Sequence, residues 1–296
     1  MTSFREKWLA AVDAKNSVLC AGLDPAEFKM GRSEEGLPPG AFKLAWSLRY
    51  INAIAPYAAA VKPNVQFWKD NEDMESLQAI VQYAHEKELV VIDDSKLADI
   101  GATNDAGLYH AKKKGFDAVT LAPFAGNMEE AAKQAQARDI GLIAMCLMSN
   151  PEYEREKNKW VATREGDYWG NGRLETDQTL IDGKQHVKQY LQLARDANAF
   201  YLDGIVIGAP SAKNHIKEEE IAQVRYSVRG QMLVLLPGVG AQGGEAQVIW
   251  RYFAKDAVIV NVGRNLMLPR GMKTTPDDQT YIAKHFRDML NELRAA

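Results

Sequence analysis

The chain has 296 residues, 46% hydrophobic and 25% charged, an ordinary globular composition with ample length to bury a large core. Its 36 Lys and Arg against 39 Asp and Glu leave a net charge of −3, and without a basic tail or stripe nothing points to nucleic acid or an anionic membrane as partner. No apolar stretch approaches the roughly 20 residues that cross a bilayer, and Thr2-Ser3-Phe4-Arg5-Glu6-Lys7-Trp8-Leu9 is charged and amphipathic rather than a signal peptide, so a soluble cytoplasmic protein is expected.

Short apolar runs rich in β-branched residues recur along the chain, each closed by Gly, Pro, Asn or Asp and followed by a segment of helical periodicity. Predicted strands are Val18 to Gly22, Ala58 to Lys62, Leu89 to Asp93, Ala118 to Leu121, Gly141 to Met145, Gly204 to Ile207, Met232 to Leu235 and Ala257 to Val260. Ala41 to Ile54, Met74 to Glu86, Thr103 to Lys114 and Met128 to Ala137 offer apolar residues at three- and four-residue spacings, as helices between them. Lys112-Lys113-Lys114 before Gly115 reads as a helix C-terminus, where cations and a terminating glycine belong.

Eight strand–helix repeats without a composition break predict an α/β fold, a single (β/α)8 TIM barrel domain over residues 1–296. A doubly wound sheet is the alternative. From Asn150 to about Asp182 the chain is polar and turn-rich, with Trp160, Tyr168 and Trp169, and reads as a long loop after the fifth strand. That loop serves as a lid, an interface or a plain excursion packed on the rim.

Cys20 and Cys146 lie in apolar runs outside any paired spacing, so both read as buried thiols. His85, His110, His186, His215 and His285 are scattered without ligand spacing and read as surface or structural.

In a barrel of this kind chemistry sits at the C-terminal ends of the strands. There the first strand runs into Leu23-Asp24-Pro25, the second into Val61-Lys62-Pro63 and the third into Asp93-Asp94-Ser95-Lys96. Residues two apart on a strand share a face, so Asp94 and Lys96 should project into the mouth while Asp93 and Ser95 face elsewhere. Singly, each charge has a plain structural explanation: Lys62 a solvated strand end, Asp24 a turn former, Asp99 a helix N-cap or first-turn acid. Together, Asp24, Lys62, Asp94, Lys96 and Asp99 would bring two cations and three anions to one mouth, which is costly unless they pair.

Asp94-x-Lys96-x-x-Asp99-Ile100 with Thr103, the strand ends Leu23-Asp24 and Val61-Lys62-Pro63, Ser149-Asn150-Pro151, Pro237-Gly238-Val239-Gly240-Ala241-Gln242-Gly243-Gly244 and Val262-Gly263-Arg264 follow one another over most of the chain. In this order they resemble the motifs of the orotidine 5′-phosphate decarboxylases, with Leu97-Ala98 replacing a common Arg-Gly. The loop from Asn150 is similar to that of the larger bacterial branch.

The resemblance implies a cofactor-free, metal-free decarboxylation of orotidine 5′-phosphate to uridine 5′-phosphate, the last step of de novo UMP synthesis. Lys62, Asp94, Lys96 and Asp99 would be its catalytic residues. By the same resemblance Asp24 and Lys62 would meet the ribose hydroxyls, Ser149 the base edge, and Gln242 and Arg264 the phosphate, with Gln242 also near the pyrimidine. Pro237 and Gly263 carry over as substrate contacts. A homodimer is implied too, Asp99 and Thr103 being supplied by the partner subunit.

The residues themselves favour a phosphate site as well, since glycines after the seventh strand let backbone N–H groups approach an anion and an arginine in the next loop presents a matching fork. The closest rival is a Mg2+-dependent phosphosugar decarboxylase or aldolase of the same barrel group. A hard cation calls for a carboxylate at the end of the second strand, where this chain has Lys62. A Schiff-base aldolase would need a neutral lysine, against the acids around Lys96. A noncatalytic phosphate-binding protein would not need the charged cluster.

Overall fold

The structure, a computed structural model, describes residues 2–27, 30, 36–70, 73–163, 178–240 and 245–296. In chain order its strands are β1 (Leu19–Leu23), β2 (Ala60–Pro63), β3 (Val90–Leu97), β4 (Ala118–Leu121), β5 (Gly141–Leu147), β6 (Trp160–Ala162), β7 (Gln178–Ile181), β8 (Lys184–Lys188), β9 (Gly204–Ile207), β10 (Leu233–Pro237) and β11 (Val258–Val262). The helices are α1 (Phe4–Lys15), α2 (Lys43–Ile54), α3 (Asp73–Glu86), α4 (Gly101–Lys114), α5 (Met128–Ala137), α6 (Tyr153–Lys157), α7 (Gln189–Ala199), α8 (Glu218–Ser227), α9 (Arg264–Met267) and α10 (Pro276–Ala295).

Eight of the strands close into a parallel barrel in the order β1-β11-β10-β9-β5-β4-β3-β2. All eight predicted runs are present, as are the four predicted helices, within a few residues at their ends. The strands read as near-continuous apolar segments because side chains of one parity fill the barrel while the other parity meets the helix layer. With helices between the strands, the fold is a (β/α)8 TIM barrel.

One end of the barrel is plugged. On α1, Phe4 lies against Gly141 at the start of β5, and the Trp8 indole N–H donates to the Asp256 carbonyl just before β11 at 2.7 Å. These contacts cover the N-terminal ends of the strands and leave the C-terminal ends as the mouth. The lysines closing α4 occupy its last turn, and Gly115 follows at φ 93, a left-handed cap that glycine adopts without strain.

The segment after β5 is more ordered than a long loop. It holds α6 and a three-stranded antiparallel sheet, β6-β8-β7, with β7 and β8 joined at Asp182 and Gly183, both at positive φ. A two-residue turn of that conformation matches the twist of paired strands. Lys157 of α6 is buried and donates to both carboxylate oxygens of Glu220 on α8 (2.5 and 2.7 Å) and to the His215 carbonyl, which ties the insertion to the barrel. Trp160 on β6 is exposed, and the Lys188 ammonium of the neighbouring β8 lies over its ring, 4.1 Å from the centroid. Tyr168 and Trp169 are outside the described residues. Among the described residues, no helix is long and apolar enough to cross a membrane.

Candidate active site

Three of the predicted charges form one bonded row at the mouth. Lys62 Nζ, from β2, donates to Asp94 Oδ2, and Lys96 Nζ donates to Asp94 Oδ1 at 2.5 Å, so a single carboxylate on β3 carries an ammonium on each oxygen. Lys62 and Asp94 are buried, whereas Lys96 stands open to the mouth. Lys62 is therefore not a solvated strand end. Burial opposes ionisation of Asp94, yet the ammonium groups of Lys62 and Lys96 outweigh it and hold the carboxyl well below the usual carboxylate range. Burial likewise favours a neutral Lys62, but Asp94 and then Asp24 keep its pKa above the ordinary lysine value. Lys62 and Asp94 are therefore held as a charged pair.

Strand alternation places Asp94 inward as expected, but Lys96 reaches the same carboxylate by an added device. Its φ is 51, in the left-handed region, and the β3–β4 register shifts between Asp93 and Leu97. For a residue with a Cβ this conformation costs about 1–2 kcal/mol. Thr120 of β4 holds it there. The buried Thr120 hydroxyl accepts the Lys96 backbone N–H at 2.9 Å and donates to Asp94 Oδ1 at 3.3 Å, sharing that proton with the Asp93 carbonyl at 3.4 Å. Thr120 was not foreseen; the available signal was a hydroxyl within the otherwise apolar Ala118-Val119-Thr120-Leu121.

Two close backbone approaches set the neighbouring residues. A Cβ on Gly22 of β1 would stand 2.9 Å from the Gly263 Cα, so the strand carrying Asp24 and the loop carrying Arg264 meet only because Gly22 has none. A Cβ on Gly208, after β9, would stand 2.7 Å from Ser149 Cβ, which fixes the half-buried Ser149 at the end of β5. Pro237 closes β10, its carbonyl accepting the Ala209 N–H at 2.9 Å, and Gly238 and Gly240 follow at positive φ. Arg264 is exposed at the start of α9. Gln242 lies outside the described residues, together with Ala241, Gly243 and Gly244.

Asp99 departs from the expected five-charge cluster. It is exposed, its Oδ1 accepts the Ile100 N–H at 2.8 Å, and its carbonyl accepts from the Asn127 side chain at 2.7 Å. Among the described residues it forms no ion pair with Lys62 or Lys96, and Thr103 on α4 is exposed as well. Neither reaches the row within one chain. Asp99 does not cap a helix with its side chain either: the N-cap of α4 is Ile100.

Cys20 lies beneath the row, its thiol pushed up to about 12 by burial, with Lys62 pulling it down and Asp94 pushing it up. Cys146 is also raised by burial, and both cysteines are free. They are inert core thiols, as expected of desolvated cysteines.

Residues 17–169 match the family model described as Orotidine 5′-phosphate decarboxylase / HUMPS family. This chain belongs to that family. An orotidine 5′-phosphate decarboxylase of Halorubrum lacusprofundi is 30% identical over 99% of this chain and 100% of its own length, and one of Halobacterium salinarum is 32% identical over 86% and 84%. Among solved structures, the OMP decarboxylase of Leishmania donovani superposes with a TM-score of 0.72 at 21% identity, covering 99% of both chains, which bears on the fold.

Proposed function

We propose that this chain decarboxylates orotidine 5′-phosphate to uridine 5′-phosphate and carbon dioxide, the last step of de novo UMP synthesis, in the cytoplasm, as a single catalytic domain. The observation that carries this reading is the Lys62–Asp94–Lys96 row, three charges held in contact at the mouth of a barrel of this family.

In the reaction the bond from C6 to its carboxylate breaks, the electron pair stays on C6, and carbon dioxide leaves. That pair lies in the ring plane, out of reach of the π system, so the protein's contribution is a prearranged field. Lys96, fixed by Asp94 and by the Thr120–backbone bond, faces C6, stabilises the growing negative charge and delivers the proton. Asp94, kept ionised by its two lysines, stands beside the departing carboxylate. Asp24 and Lys62 bind the ribose hydroxyls, Ser149 the base edge, and Gln242 and Arg264, flanked by Pro237 and Gly263, the phosphate. Phosphate binding far from C6 is expressed in the transition state.

The metal-dependent reading of the same barrel is disfavoured by Lys62. Its ammonium holds one oxygen of Asp94, so a divalent cation brought to that carboxylate would meet a fixed positive charge.

The site is completed in a homodimer. Exposed Asp99 and Thr103 lie beside Ile100, itself 59% exposed, an arrangement suited to insertion of all three into a partner's mouth.

Loss of orotidine 5′-phosphate absorbance, followed with the intact protein and with Lys96→Ala, tests the reading. Turnover by the intact protein, nearly abolished in a variant that keeps its thermal unfolding temperature, is the expected outcome. Absence of turnover in the intact protein, or full activity in the variant, would overturn it.

A further inference from the structure

The segment from Lys96 to Gly101 carries two charges that, on the proposed function, serve different mouths. Lys96 stands in the row of its own chain, whereas Asp99 is exposed and out of reach of that row. A segment with this double task has to fix the direction of one charge relative to the other, and the chain that follows β4 holds it along its length.

The Lys96 N–H is held by Thr120, and the Leu97 carbonyl accepts the Ala122 N–H at 2.7 Å. Beyond these the bonds pass to side chains. Asn127 Nδ2 donates to the Asp99 carbonyl at 2.7 Å, Glu130 Oε2 accepts the Gly101 N–H at 3.2 Å, and Gln134 Nε2 donates to the Gly101 carbonyl at 3.1 Å. Residues 127, 130 and 134 are spaced by three and four, so they meet the segment from one face of α5. Gly101 sits at φ 55, a conformation that glycine adopts without strain and that leaves the joint between Asp99 and α4 pliable unless it is held from outside.

Asn127 makes its contact at the expense of its own helix. It occupies the N-cap of α5, where an asparagine ordinarily accepts a backbone N–H of the first turn, yet its side chain makes no cap bond. It is 3% exposed, and its Oδ1 is buried without a partner among the described residues. Buried polar groups are nearly always bonded. Here the only side-chain bond of a buried carboxamide, among the described residues, is the one to Asp99.

We infer that Asn127, supported by Gln134, is a positioning residue: it sets the direction of Asp99, and its effect appears in the partner's active site and not in its own. The inference rests on the reading that Asp99 acts in the partner's mouth. A defect at Thr120, by contrast, stays in the mouth of the same chain, because Lys96 does. Thus β4 and the chain after it orient one charge for each of two sites.

Asn127→Leu, similar in volume but without a donor, should lower kcat about tenfold, the loss expected of one hydrogen bond. Subunit mixing then shows in which site the loss falls. Mixed equally with Lys96→Ala under proven exchange, Asn127→Leu should regain about a quarter of the activity of the intact protein, since each hybrid dimer joins its sound Lys96 to an Asp99 that the other chain still directs. Mixed equally with Asp99→Ala it should stay near about a twentieth, because no hybrid site then has both groups in place. Gln134→Met, at a half-buried position, should behave in the same way and supplies the reading should Asn127→Leu not fold. Arg138→Met breaks the Arg138–Asp105 pair (2.8 and 2.5 Å) between the same two helices, one turn farther along α4, and should keep its kcat.

Any other pattern of recovery, above all recovery with Asp99→Ala and none with Lys96→Ala, would overturn the inference. So would full kcat in both Asn127→Leu and Gln134→Met, or an equal loss in Arg138→Met. Lys96→Ala and Asp99→Ala mixed alongside separate the two readings: recovery there leaves only the role of Asn127 at stake, and no recovery overturns the placing of Asp99 and this inference with it.

Discussion

The hydroxyl of Thr120 accepts the backbone N–H of Lys96 at 2.9 Å, and so a side chain of one strand holds the left-handed turn of the next. Thr120→Val keeps the volume and removes both that acceptor and the donor to Asp94. The lost bonds are worth about 1–3 kcal/mol, so kcat should fall roughly 10- to 100-fold with KM changed far less, and Thr120→Ser should restore most of it. Steady-state kinetics of the three proteins decide the matter; equal kcat values would mean that Lys96 keeps its place unaided.

The buried pair of Lys62 and Asp94 makes a separate prediction about stability. Lys62→Met leaves Asp94 desolvated with Lys96 alone, and breaking a buried pair in this way costs about 3–5 kcal/mol. Lys62→Met combined with Asp94→Leu removes both charges and should recover most of that loss, though without activity. Urea unfolding should rank the single variant lowest. A single variant that unfolds with the intact protein would show the pair to be well hydrated.

Asp93 gives stability a pH dependence of the opposite sense to an ordinary ion-paired acid. Its folded pKa of about 7 lies above the unfolded value of about 3.9. The folded chain therefore keeps a proton that the unfolded chain has lost, and stability falls as pH rises from about 4 through 7. The full cost above pH 7 is about 4 kcal/mol. Asp93→Asn should thus be the more stable protein at pH 8, by about 2–4 kcal/mol, with the gap narrowing steadily towards pH 5. Urea midpoints across that interval check it, and a gap independent of pH would exclude titration of Asp93 as the cause.

If Asp99 acts in the partner's mouth, two inactive chains should rescue one another. Lys96→Ala and Asp99→Ala chains, mixed under conditions of proven subunit exchange, should form hybrid dimers with one complete site, regaining about a quarter of the activity of the intact protein when mixed equally. No recovery would confine Asp99 to its own subunit.

The barrel was legible because each strand is buried on both faces and so reads as an unbroken apolar run, from Leu19–Leu23 to Val258–Val262. Alternation likewise placed Asp94 inward and Asp93 outward. It did not foretell how Lys96 reaches the same carboxylate, since a single left-handed residue leaves no mark in the pattern, nor Thr120, whose partners lie 24 to 27 positions away. The hairpin of β7 and β8 was legible in principle: Asp182-Gly183 is a strong two-residue turn signal, overlooked amid the polar composition around it. The separation of Asp99 from the row left no mark in the strand pattern, which grouped all five charges at one mouth; only the family resemblance set Asp99 apart from the others.

Closing the barrel has a consequence for the molecule as a solute. With β1 bonded to β11, no barrel strand offers an open edge on which another chain could add by backbone pairing. The insertion brings that hazard back: in its described three-stranded sheet β6 and β7 are outer strands, and β7 displays Leu180 at 72% exposure and Ile181 at 39%. Self-association through strand addition is thus concentrated in a segment outside the barrel, where a charge at Leu180 would discourage it without touching the catalytic row.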